Sequence, residues 1–131
     1  MLIGINHIGI AVKDLETSME LFKKIFSVEN FHLETVESQK VSIASFKVGD
    51  VLIELTCPTS EDSPISKFLK NKGEGIHHIA FESDNIDKEL ERLKNNGINL
   101  INEIALIGAH NLSIAFLHPK STNGALFEIC Q

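Results

Sequence analysis

At 131 residues the chain is long enough for one compact domain, or for two small modules sharing a core, and too short for two independently stable domains. With 43 % apolar and 23 % charged residues it has the composition of a globular protein, not a disordered one, and its apolar runs are too short to span a membrane. A formal charge of −6 argues against general nucleic-acid binding, which needs surplus Lys and Arg to replace phosphate counterions.

Met1 leads directly into a strand-like run, with no charged stretch followed by a long apolar one, so no secretory leader is expected and the expected compartment is the cytoplasm. The run INHIGIAV, Ile5 to Val12, reads as the first strand. Asp14 follows as a helix cap, and Leu15, Met19, Phe22 and Phe26 form one helical stripe. Three strand-like runs come next, roughly Phe31 to Glu37, Val41 to Val48 and Val51 to Thr56, with turns at Ser38-Gln39-Lys40 and Gly49-Asp50. A linker of about 58–74 contains Ser63-Pro64, an N-cap with proline at the first helical position, opening a short helix to about Asn71.

The pattern then repeats. GIHHIAF begins a strand at Gly75; the cluster Ser83-Asp84-Asn85 can cap a helix with Ile86, Leu90 and Leu93 on its stripe, and Gly97 ends it. Strands are expected at roughly Leu100 to Leu106, Leu112 to Leu117 and Ala125 to Cys130. HIGIAVKDLETSMELFKK from His7 aligns with HIAFESDNIDKELERLKN from His78, so the chain reads as two tandem βαβββ modules, about 1–57 and 75–131. The expected fold is α+β, a single domain in which the modules form an eight-stranded curved sheet around a central metal cleft, with helices outside.

Side chains alternate along a strand, so parity assigns faces. Ile8, Ile10 and Val12 suit packing against the helix, which puts His7 on the other face. The repeat equates Ile8 with Ile79 and Ile10 with Phe81, placing His78 with His7 and leaving His77 on the helix side or at the strand edge. In the fourth strand of each module, VLIEL places Glu54 and ALFEI places Glu128 between apolar neighbours. A buried carboxylate is costly unless paired or bound to metal. Two imidazoles and two carboxylates at equivalent positions suit a divalent ion such as cobalt, manganese, nickel, zinc or iron, with positions left open to water or substrate. Cys57 and Cys130 lie at strand ends without metal-knuckle spacing and are expected to stay reduced.

Paired βαβββ modules with His in the first strand and Glu in the fourth resemble the vicinal oxygen chelate superfamily, which includes the glyoxalase and bleomycin-resistance proteins. The tracts HIGIAVKDLE, EDSPISKFLKNKGEGIHHIAF and IGAHNLSIAFLHPKSTNGALFEI resemble the methylmalonyl-CoA epimerase family over essentially the whole chain. The resemblance implies a metal-dependent isomerase that interconverts the (R) and (S) forms of methylmalonyl-CoA through C2 proton abstraction and a metal-stabilised enolate, in propionate metabolism. It implies His7, His78 and Glu128 as metal ligands, and Glu54, where epimerases often have Gln, as a ligand directly or through water. Cobalt is expected first, with manganese, nickel or zinc as alternatives.

Glu128 resembles a base of the family. Several relatives have a second Glu where this chain has Ile43, which leaves Glu54, Gln39 through a water, or a metal-bound water to take its place. Gln39, His110 and Lys120 are expected substrate contacts, His110 in a loop that resembles the family's substrate-facing tract, and Lys120 stands with Lys67, Lys70 and Lys72 as a candidate for the CoA phosphates. His32 and His118 read as structural. Asn111 replaces the family's usual Gly, which tolerates positive φ better. The expected partners are an acyl-CoA substrate and a second copy of the chain, in a homodimer with the first strand or an adjoining helix at its interface, and neither nucleic acid nor membrane. Two other functions use this fold: a glyoxalase I-like lactoylglutathione lyase, and a non-catalytic small-molecule binder.

Overall fold

The computed structural model describes residues 1–131. Its elements are β1 (Leu2–Ala11), α1 (Leu15–Phe26), β2 (His32–Val36), β3 (Val41–Val48), β4 (Val51–Pro58), α2 (Pro64–Lys72), β5 (Gly75–Ser83), α3 (Ile86–Asn95), β6 (Leu106–Ile107), β7 (Ser113–Phe116) and β8 (Phe127–Cys130). Hydrogen bonding orders the eight strands β2-β3-β4-β1-β5-β8-β7-β6. The chain divides into two compact units, residues 1–7 with 78–131, and residues 8–77. No helix is long and apolar enough to cross a membrane.

In the unit of residues 8–77, Asp14 starts α1 by accepting the Thr17 N–H at 2.7 Å, a bond that holds its carboxyl below the usual range. Leu15, Met19 and Phe22 of that helix pack with Ile10, Val12, Ala44 and Leu55. Ile10 and Val12 thus occupy the helix face that alternation predicts. β3 and β4 form a hairpin from Val41↔Pro58 to Val48↔Val51, turned at Gly49-Asp50 with Gly49 at φ 61°. The expected turn at Ser38-Gln39-Lys40 is a 3₁₀ turn over Glu37–Gln39, closed by Lys40 at φ 55°. α2 opens as expected, with Ser63 Oγ accepting the Ile65 N–H at 3.2 Å and Pro64 at the first position.

The other unit has the same logic. Asn85 supplies the cap of α3, its Oδ1 accepting the Lys88 N–H at 2.9 Å. Ile86, Leu90 and Leu93 then pack on Phe81 of β5, Ala115 of β7, Leu117 just beyond it, and Phe127 and Ile129 of β8. Burying a side chain such as Ile129 contributes about 1.5–3 kcal/mol. β8 pairs with β5 in parallel (Ala80↔Glu128) and with β7 antiparallel (Phe116↔Glu128).

One expected strand is not there. Leu100 to Leu106 contributes only the bridge Leu100↔Leu117 and the first residue of the two-residue β6. Asn102 is the reason: its side-chain Oδ1 accepts the Phe116 N–H at 3.0 Å, while the Ile101 and Asn102 N–H groups both donate to the Phe116 C=O. A side chain has taken a position in the ladder that a backbone carbonyl would hold, and regular pairing stops.

Candidate functional site

Three of the four expected ligands meet within the unit of residues 1–7 and 78–131. His7, His78 and Glu128 are 4 %, 7 % and 3 % exposed. His7 and His78 face each other with Nε2 atoms 3.1 Å apart. Glu128 straddles the pair, Oε1 at 3.5 Å from His7 Nε2 and Oε2 at 3.5 Å from His78 Nε2.

Each side chain is placed by its strand. On β5, Ile79 and Phe81 turn toward α3 while His78 and Ala80 turn the other way; on β8, Phe127 and Ile129 turn toward α3 while Glu128 and Cys130 do not. Main-chain bonding from the Asp84 N–H to the Met1 C=O at 3.1 Å, with His78 opposite His7, sets β1 antiparallel to β5. The Phe116 ring meets His78 edge-on, centroids 5.6 Å apart at 84°, and limits how the imidazole can turn. Asn6, which the sequence reading did not single out, holds the far side of His7: its Oδ1 lies 2.8 Å from Nδ1. A carbonyl oxygen only accepts, so Nδ1 carries the proton and Nε2 presents a lone pair. No sequence pattern singles out Asn6, because its part depends on which nitrogen of His7 carries the proton.

The donor set fits a divalent cation. Ligand atoms held about 2.1 Å from one ion, at angles between octahedral and tetrahedral, lie about 3.0–3.4 Å apart, close to these separations. Two nitrogen lone pairs at 3.1 Å repel unless a proton or a cation lies between them. Cys130, which its spacing had set aside, offers a sulfur within 4.8 Å of ligand atoms of His7 and Glu128 and is fully buried.

Glu54 is 2 % exposed on β4, in the unit of residues 8–77, directly across from Ser45. Ile43, where some relatives have Glu, is buried in β3 across from Thr56. Gln39 ends the 3₁₀ turn and is half-buried. His110 and Asn111 both adopt left-handed backbone, φ 54° and 58°, so Asn111 takes the conformation for which relatives use Gly. Lys120, Lys67, Lys70 and Lys72 are exposed. His118 Nδ1 accepts the Lys120 N–H at 3.1 Å, a structural bond. His77 packs edge-on against Phe68 of α2, and burial pushes its pKa down to about 4, with Lys72 adding to the effect, so it is neutral near pH 7. Burial raises the pKa of the Cys57 thiol, which keeps it protonated and unreactive.

Fold and donor set together define the class of protein. The chain belongs to the glyoxalase/bleomycin resistance protein/dioxygenase superfamily, whose family model matches residues 6–116. Its relatives narrow the class. The human mitochondrial methylmalonyl-CoA epimerase is 39 % identical over 128 residues, covering 97 % of this chain and 73 % of that protein. A Bacillus subtilis protein of uncharacterised function, YqjC, is 39 % identical over 127 residues, covering 97 % of this chain and 91 % of its own length. The solved Streptomyces coelicolor methylmalonyl-CoA epimerase in complex with 2-nitronate-propionyl-CoA superimposes with a TM-score of 0.95 at 35 % identity, covering 99 % of this chain and 94 % of that one. The chain is thus similar along its length to enzymes of the epimerase type.

Proposed function

We propose that this protein is a metal-dependent epimerase interconverting (R)- and (S)-methylmalonyl-CoA, with His7, His78 and Glu128 as ligands and Glu54 as the fourth, directly or through water. The observation that carries the reading is the closure of the two buried imidazoles and the Glu128 carboxylate to within 3.5 Å of one another, in a chain with epimerase relatives. His7, His78 and Glu128 would hold a divalent ion, which would supply Lewis acidity for the enolate. The chemistry leaves the metal's identity open, with cobalt expected first. The chain's own residues do the rest. Asn6 fixes the His7 ring, Phe116 and the strand fix His78, and Glu128 removes the C2 proton on one face.

Inversion needs a second proton-handling group on the opposite face. Ile43 cannot serve, and Glu54 takes that role in this proposal. Gln39, His110 and Lys120 are proposed substrate contacts, the lysine for the CoA phosphates. The protein acts in the cytoplasm as a homodimer on an acyl-CoA.

Glu128→Gln tests the reading. The variant should retain the fold and lose nearly all turnover in the metal-replete epimerase assay, by at least about a hundredfold. An unchanged rate would remove Glu128 from its role. Lactoylglutathione lyase activity assayed in parallel separates the epimerase from a glyoxalase I-like enzyme. Deuterium incorporation at C2 in heavy water separates it from a binder that moves no proton.

A further inference from the structure

Cys130 lies two residues beyond Glu128 on β8, and alternation turns both side chains to the same face while Phe127 and Ile129 turn toward α3. It is fully buried. Its sulfur, a His7 ring nitrogen and a Glu128 carboxylate oxygen all lie within 4.8 Å of one another, so a third kind of donor atom stands beside the candidate ligands. The three residues belong to one unit, residues 1–7 and 78–131.

A buried free cysteine commonly serves as a small hydrophobe. Cys130 does pack with Ala80 and Ile114, and its thiol donates to the Phe81 C=O at 3.6 Å. Packing alone does not call for sulfur: the pairs Ile114↔Cys130 and Phe116↔Glu128 have counterparts in Ile43↔Thr56 and Ser45↔Glu54, so the first module carries Thr56 at the corresponding position. What sets Cys130 apart is its neighbours. The bond from His7 Nδ1 to Asn6 leaves the Nε2 lone pair facing His78 Nε2 at 3.1 Å, an arrangement that needs a proton or a cation between the rings. Donors that share one ion, at about 2.1 Å for nitrogen or oxygen and about 2.3 Å for sulfur, lie about 3.0–4.4 Å apart, from adjacent to opposite positions. The Cys130 sulfur is inside that range or within about 0.4 Å of it.

We propose that Cys130 is a sulfur donor to the cation held by His7, His78 and Glu128, and that it sets which metal the site prefers. The proposal rests on the metal-dependent epimerase reading and deepens it. As the bond forms, an electron pair of the sulfur goes to the cation and the thiol hydrogen leaves to solvent as a proton. A soft sulfur beside two imidazoles suits zinc and cobalt, whereas manganese, which suits carboxylate and water oxygens, gains least from it. Cys130 thereby separates metals that the other three donors would accept more evenly.

The test uses the full chain, stripped of metal and kept reduced, in three forms: the parent, Cys57→Ser and Cys130→Ser. Cobalt(II) is added to each and the absorption spectrum recorded. The chain has two cysteines, so a sulfur-to-cobalt charge-transfer band in Cys57→Ser reports on Cys130. The parent and Cys57→Ser should show that near-ultraviolet band together with the visible cobalt bands; Cys130→Ser should lose the first and keep the second. In chelator competition, the preference for zinc over manganese should fall at least about tenfold in Cys130→Ser and stay within about twofold of the parent in Cys57→Ser. A parent that binds cobalt without the charge-transfer band, or a Cys130→Ser protein that retains the band or the metal preference, overturns the proposal and leaves His7, His78 and Glu128 as ligands. A parent that binds no cobalt overturns both. Should Cys130→Ser not fold, the presence or absence of the band in Cys57→Ser decides.

Discussion

Asn6 accepts a hydrogen bond at 2.8 Å from a ring whose other nitrogen lies 3.1 Å from its counterpart on His78. This contact decides the tautomer of His7 and its orientation, and it does so from outside the donor set. Removing such an outer partner from a metal-binding imidazole lowers metal affinity about 10–100-fold. Asn6→Ala should therefore weaken cobalt binding by that range in a chelator-competition titration, with the unfolding midpoint of the metal-free protein nearly unchanged. Equal metal affinity in parent and variant would reduce Asn6 to a bystander. The neighbouring pair His77 and His78 shows how much one residue step matters. One ring packs on Phe68 and is kept neutral by burial; the other faces His7 and Glu128. Strand alternation and the repeat separate the two correctly, because both tests depend only on which side of the strand α3 packs.

At the scale of elements, helices were the most legible part of the sequence. Asp14, Ser63 and Asn85 cap where cap chemistry places them, and the apolar stripes of α1 and α3 face their strands. The failure at Leu100 to Leu106 has a local cause. Its composition is strand-like, but the competing hydrogen bond from Phe116 to the Asn102 side chain depends on a residue 14 positions away, which a local pattern cannot register. The segment that follows is anchored by close packing. A Cβ on Gly108 would lie 2.6 Å from Ile114 Cδ1 and 3.1 Å from both its γ carbons. Ile114 is 4 % exposed and β-branched, so it has little freedom to move aside. Gly108→Ala should lower the denaturant-unfolding free energy by about 1–3 kcal/mol, an overpacking cost. Gly4→Ala is the control: no atom lies within 4 Å of its Cβ, and its effect should stay within about 0.5 kcal/mol.

For the molecule as a whole, the proposed metal site would couple ion binding to folding. If the ion binds the folded chain and not the unfolded one, free metal at about a hundred times its dissociation constant adds about 2.7 kcal/mol of stability. Adding cobalt or zinc to metal-free protein should raise the thermal midpoint, chelation should reverse the rise, and His78→Ala should abolish it. A midpoint indifferent to metal in the parent would mean that these donors do not hold an ion in the native state. The candidate donors were legible because the duplication displayed each residue type twice. The sequence hid Asn6, whose part depends on a tautomer, a property visible only once neighbours are in place.

β1 belongs to both units: residues 1–7 go with residues 78–131, and the strand's continuation with residues 8–77. In kinetic terms, the two imidazoles are 71 positions apart along the polypeptide and meet only after that long loop closes. Contacts of such separation form late and slowly during folding. On the proposed metal-binding reading, the N-terminal half would hold His7 without His78 or Glu128 until that loop closes, and cation capture would come late on the route to the native state.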